Sequence, residues 1–99
     1  MSSLNWEHSY RYSFAYNPEA INKKENPSLY ELWGLSSSER KWYHDPLARI
    51  EKRGKKWELA TMNSHAFHQV RGVYKTLKEA QAMGIALVTM EGIKHEPNN

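Results

Sequence analysis

Five histidines and no cysteine bound the chemistry open to this chain. His65 and His68 stand three apart, a spacing that brings two imidazoles to one metal only where the backbone curls into a turn; on a strand they point to opposite faces. No cysteine or acidic residue follows at a ligand-like spacing, so both read as turn and strand histidines, and His8 and the His44-Asp45-Pro46 run read as loop residues. Catalysis also needs a nucleophile, acid or base held in place. The sequence has no glycine-rich phosphate loop, no Gly-x-Ser-x-Gly elbow and no His-Glu-x-x-His. The expectation is a protein that is not an enzyme and uses no metal, cofactor or small-molecule substrate.

Charge points elsewhere. The net charge of +3 conceals an asymmetry: Ala48 to Lys78 holds eight basic and two acidic residues, a local +6, while the remainder carries −3. A concentrated positive segment raises the local potential and favours a polyanionic or acidic partner. Arg49, Lys52, Arg53, Lys55, Lys56, Arg71 and Lys75 are therefore the candidate contacts to nucleic acid, DNA ahead of RNA, or to an acidic protein surface. A solvated turn kept soluble by Lys and Arg accounts for the same pattern.

Aromatic residues form the second signal. In Tyr10-Arg11-Tyr12-Ser13-Phe14-Ala15-Tyr16 the rings recur at every second position, the alternation of a strand with one packed face. The stronger reading makes this an edge strand that supplies core; the minority one makes Tyr10 and Tyr12, with Trp33 and Trp42, an exposed surface for stacking or for a protein partner.

The elements that position these residues are clearest from Ala48 to Met90. Ala48, Ile50 and Lys52 alternate with Arg49, Glu51 and Arg53, and Arg53-Gly54 suits a tight turn. A second strand puts Trp57, Leu59 and Thr61 on one face and Glu58, Ala60 and Met62 on the other. Asn63 to Ala66 turn the chain, and Phe67 to Tyr74 form a third strand. Thr76 followed three residues on by Glu79 is a capping box, opening a helix from Leu77 to Met90. Ala80, Gly84, Leu87 and Val88 share its inner face, widened by Ala82, Met83, Ile85, Ala86 and Met90. Earlier, Pro18 to Pro27 reads as a loop or short exposed helix. Ser28 to Gly34 reads as a short helix with Leu29, Leu32 and Trp33 inward, and Ser36 to Tyr43 as a second helical turn. Gly92 to Asn99 reads as a frayed tail.

With these elements placed, Gly54, Trp57, the run Gly72-Val73-Tyr74-Lys75-Thr76 and Glu79-Ala80 show that Ala48–Met90 resembles the three-stranded-sheet-plus-helix DNA-binding domains of plant ethylene-response factors and the arm-binding modules of phage integrases. The resemblance implies that the sheet face away from the helix lies in the major groove. On that face Glu58, Ala60 and Met62 offer no arginine to a guanine edge, so the basic turn and its phosphate contacts become the expected mode.

The expected fold is α+β: an antiparallel sheet of three to four strands with one C-terminal helix on one face and short helical turns in the N-terminal third. Ninety-nine residues make one domain, divided into an aromatic-rich extension (1–46), a strand-strand-strand-helix unit (47–91) and the tail (92–99). At this size roughly 60 to 65% of the unfolded chain's surface is buried on folding. No apolar run approaches the roughly 20 residues that span a bilayer, and the start lacks a signal-peptide core, so a soluble, cytoplasmic protein is expected. The functional expectation is a small basic protein that binds nucleic acid mainly by phosphate contacts. The alternatives are an accessory protein of phage or mobile-element type that inhibits or adapts a larger complex by occlusion, and a structural subunit that self-associates through the aromatic strand.

Overall fold

A computed structural model describes residues 4–9, 26–63, 65 and 67–95, and of 26–28 the backbone alone. Among the described residues five strands, β1 (Asn5–Ser9), β2 (Asn26–Trp33), β3 (Ala48–Arg53), β4 (Lys56–Met62) and β5 (His68–Tyr74), precede one helix, α1 (Leu77–Glu91). The strands form one antiparallel sheet in chain order. The α+β class and the single C-terminal helix agree with the sequence reading; the strand count exceeds it.

The register sets the two faces. Ala48 lies opposite Thr61, Ile50 opposite Leu59 and Lys52 opposite Trp57. Leu32 continues the Ala48 row and Trp6 extends it to the sheet edge. This is the face that α1 covers: Leu32, Ala48, Ile50 and Leu59 line it and join Leu47, Met62, Ala80 and Val88 in one buried cluster, with Trp6, Trp57, Tyr74, Leu77 and Leu87 packed around it. Leu32, Ile50 and Leu59 are fully buried, each stabilising the fold by about 1.5–3 kcal/mol relative to exposure.

The helix starts where its cap demands. Thr76 is extended at φ −125°, and its hydroxyl accepts a hydrogen bond from the Glu79 amide at 3.1 Å. It ends on Gly92 at φ 62°, a left-handed residue that lets the last carbonyls be capped. Its inner stripe is narrower than expected. Ala80, Gly84 and Val88 are buried, but Met83, Ile85 and Met90 are exposed, Met90 to 80%.

The N-terminal third departs from the expected helical turns. Leu29, Leu32 and Trp33 have the i, i+3, i+4 spacing of a helix, yet they lie on β2, which is covered on both faces. Tyr30 and Leu32 turn toward the helix, while Leu29, Glu31 and Trp33 are buried on the other side. A strand buried on both faces loses its period of two and can mimic a helix. Pro27, expected to end a loop, lies within β2 at the register shift between His8 and Ser9, where the ladder is interrupted and no amide is needed. The expected cap at Ser36 exists, since the Ser36 amide donates to Glu39 Oε1 at 2.9 Å and the Glu39 amide to the Ser36 carbonyl at 3.0 Å. It closes a single turn and no helix follows. The segment after α1 does not fray at Gly92: Ile93 packs on the core and His95 is hydrogen-bonded to two loop residues. The aromatic strand expected at Tyr10–Tyr16 lies outside the described residues.

Candidate nucleic-acid interface

The β3–β4 hairpin turns through Gly54 at φ 65°, a left-handed conformation that a β-carbon disfavours. Because Arg53 pairs with Lys56 and Lys52 with Trp57, four basic residues gather at the hairpin tip. Trp57 also pairs with Tyr74, so β5 delivers Lys75 to the same end of the sheet, and the cap at Thr76 places Lys78 in the first helical turn beside it. Lys78 was outside the candidate set read from the sequence. The signal for it was present, since a strand leading directly into a capped helix carries the next basic residue to the same pole.

These residues differ in availability. Lys52, Lys55, Lys56, Lys75 and Lys78 are exposed. The Lys52 ammonium sits 5.5 Å from the centre of the Trp57 ring, a cation–π arrangement that holds the stem while leaving the charge in water. Arg53 is shared between two carboxylates, Glu51 Oε1 at 3.2 Å and Glu58 Oε1 at 3.6 Å, which offset its charge.

Two candidates lie elsewhere. Arg49 is half-buried on the outward face, flanked in register by Glu31 and Ala60, and is already engaged. Arg71 lies toward the other end of α1. Its two guanidinium nitrogens donate to Glu91 at 2.7 and 2.6 Å, and one also donates to the Thr61 hydroxyl at 3.0 Å. The hydrogen bonds with Glu91 raise the Arg71 pKa and hold the Glu91 carboxyl below its ordinary range. Arg71 is thus a strut between sheet and helix, and the pairing that decides this spans twenty residues.

The aromatic candidates also separate. Trp33 is 3% exposed and offers no surface: Arg40 lies 4.1 Å over its ring, His95 stacks against it, and its indole N–H donates to Glu31. Trp42 is 95% exposed and meets Tyr43 edge-on, on the loop joining β2 to β3 at the opposite end of the sheet from the basic tip. Tyr10 and Tyr12 lie outside the described residues.

The outward face of the sheet carries Glu7, Glu31, Glu51 and Glu58 in register with Arg49 and Arg53. Arg40 reaches Glu7 from the loop. Charges of both signs share it with the exposed Val70 and Val73, and no stripe of basic residues runs along it among the described residues. The histidines considered for metal binding do not converge. His68 donates through Nε2 to the Pro46 carbonyl at 2.8 Å, whereas at His65 the backbone amide is bonded to Asn63. Burial holds the His68 pKa below its ordinary value. Among the described residues no group of three or more histidine or carboxylate side chains is arranged to hold a metal ion, and no described helix is long and apolar enough to cross a membrane.

No family model matches this chain, and no curated protein or solved structure matches it.

Proposed function

We propose that this chain is a non-enzymatic binding protein that holds nucleic acid by phosphate contacts from one end of its sheet. The observation that carries this reading is the convergence of Lys52, Lys55, Lys56, Lys75 and Lys78 from three separate elements onto one pole, all exposed and none ion-paired with a described residue. Exposed ammonium groups around a hairpin tip suit phosphates, whose recognition needs charge more than direction. The outward face, with carboxylates interleaved among its arginines, suits base reading poorly. The proposal is therefore contact without strong sequence preference.

A second reading rests on the opposite pole. Trp42, Tyr43 and Phe67 are exposed there, and exposed Trp and Tyr are favoured anchors in protein interfaces. On this reading the chain occludes or adapts a larger protein.

Backbone amide chemical shifts followed during titration with a mixed-sequence duplex at low salt separate the two. The first reading expects perturbation confined to Lys52–Trp57 and Lys75–Glu79. No perturbation at those residues overturns it, and a response centred on Trp42 and Tyr43 supports the second.

A further inference from the structure

His95 stands after the end of α1 and reaches back to close the loop between β2 and β3. Its Nε2 lies 2.8 Å from the Gly34 amide and its Nδ1 lies 3.1 Å from the Asp45 carbonyl. The partners assign the protons: a backbone N–H can only donate, so Nε2 carries the lone pair, and a carbonyl can only accept, so Nδ1 carries the hydrogen. One neutral imidazole thereby bridges both ends of the Gly34–Asp45 segment, whose tip exposes Trp42 and Tyr43.

We propose that His95 is a proton-operated latch: neutral, it fastens the Gly34–Asp45 loop to the sheet; protonated, it releases the Gly34 end and frees the loop that presents Trp42 and Tyr43. An imidazolium has two N–H donors and no acceptor, so on protonation the Gly34 amide faces a second donor where it had a partner. The loss is asymmetric, because the bond to Asp45 survives protonation while the bond to Gly34 cannot. The loop is then held from the Pro46 side, where His68 donates to the Pro46 carbonyl in either charge state.

The groups around His95 favour its neutral form. Its ring stacks on Trp33 at 5.2 Å, nearly parallel, and Arg40 lies over the same indole. His44 meets it edge-on at 5.9 Å. Glu31 is engaged by the Trp33 indole N–H and Glu7 by Arg40, and Asp45 meets the ring through its backbone carbonyl. Burial, with His44 and Arg40 adding to it and the Asp45 bond opposing, places the His95 pKa below its ordinary value. The latch is closed at neutral pH and opens on acidification.

The test uses the full chain with imidazole ¹⁵N shifts and amide hydrogen exchange. At about pH 8 the ¹⁵N pattern should show His95 as the Nδ1–H tautomer. On acidification to about pH 5, exchange at Gly34, corrected for the intrinsic pH dependence, should rise roughly tenfold or more relative to α1 amides, the effect of losing one partly buried hydrogen bond. In His95→Gln, whose side-chain oxygen accepts at any of these pH values, the acid-induced rise should vanish. Should that variant misfold, seen as lost helical circular dichroism, the wild-type tautomer and exchange readings still decide. An Nε2–H tautomer at His95, or Gly34 exchange that tracks α1 at both pH values, overturns the proposal.

Discussion

The Trp6 indole rests directly on Gly84: a β-carbon placed at Gly84 would come within 2.6 Å of Trp6 Cζ2 and 3.2 Å of Leu59 Cδ1. The indole N–H donates to the Gln81 carbonyl at 3.1 Å, so the same ring is both packed against the helix and bonded to it. A glycine in mid-helix ordinarily costs about 1 kcal/mol relative to alanine. Here it is what lets the edge strand β1 reach α1.

Gly84→Ala should therefore destabilise the protein even though alanine is the better helix former. Overpacking of this kind costs about 1–3 kcal/mol, against a propensity gain of up to about 1 kcal/mol. Urea unfolding should show a lower midpoint with an unchanged slope. A raised midpoint would show that Trp6 moves aside without cost.

The narrow buried stripe of α1 makes a sharper contrast than the broad one read from the sequence. Val88 is 3% exposed and Met90 80% exposed. Val88→Asp buries an unpaired carboxylate and should cost several kcal/mol, about 3 or more. Met90→Asp should change stability by less than about 0.5 kcal/mol. Comparable losses from both, read by thermal melting, would contradict the placement of the helix face.

Acidification should weaken the fold through His68 as well as His95. Burial lowers both folded-state pKa values. In the unfolded chain each titrates near its ordinary value, so below about 6.5 the unfolded state binds more protons and stability falls with pH. The contribution is fully present above that value and is lost as pH drops toward the folded-state pKa. Melting temperature should decline between about pH 7 and pH 5, and His68→Gln should flatten the decline. A wild-type melting temperature that rises over this range would contradict the burial of these rings.

At the basic tip, Arg53 is held by Glu51 and Glu58. Glu58→Gln should release part of that hold and tighten nucleic-acid binding by about 2- to 5-fold, with a salt slope steeper by up to about 0.9. Weaker binding would mean that Glu58 orients Arg53 toward the ligand.

From Ala48 onward the fold was legible because its signals are local. Gly54 sets the hairpin, Thr76 and Glu79 open the helix, and the alternation in β3 and β4 assigns their faces. At β2 the same method misled, since Leu29, Leu32 and Trp33 mimic helical spacing when both strand faces are covered. What covers Trp33 comes from outside its strand: Arg40 from the loop that follows and His95 from beyond the helix. The candidate site divides in the same way. Lys52, Lys55, Lys56 and Lys75 follow from turn and strand placement, whereas the engagement of Arg71 by Glu91 depends on where the helix ends over the sheet.

The most direct test of phosphate binding is the affinity for a mixed-sequence duplex measured by fluorescence anisotropy across roughly 50 to 200 mM salt, for the wild type and for Lys52, Lys55, Lys56 and Lys75 changed together to Ala. Contact with about four to five phosphates predicts a slope of log affinity against log salt near −4 and a loss of roughly 10²-fold over that range; the variant should bind weakly, with a slope near −1. Absence of binding at the low-salt end, or a slope that the variant leaves unchanged, would contradict it.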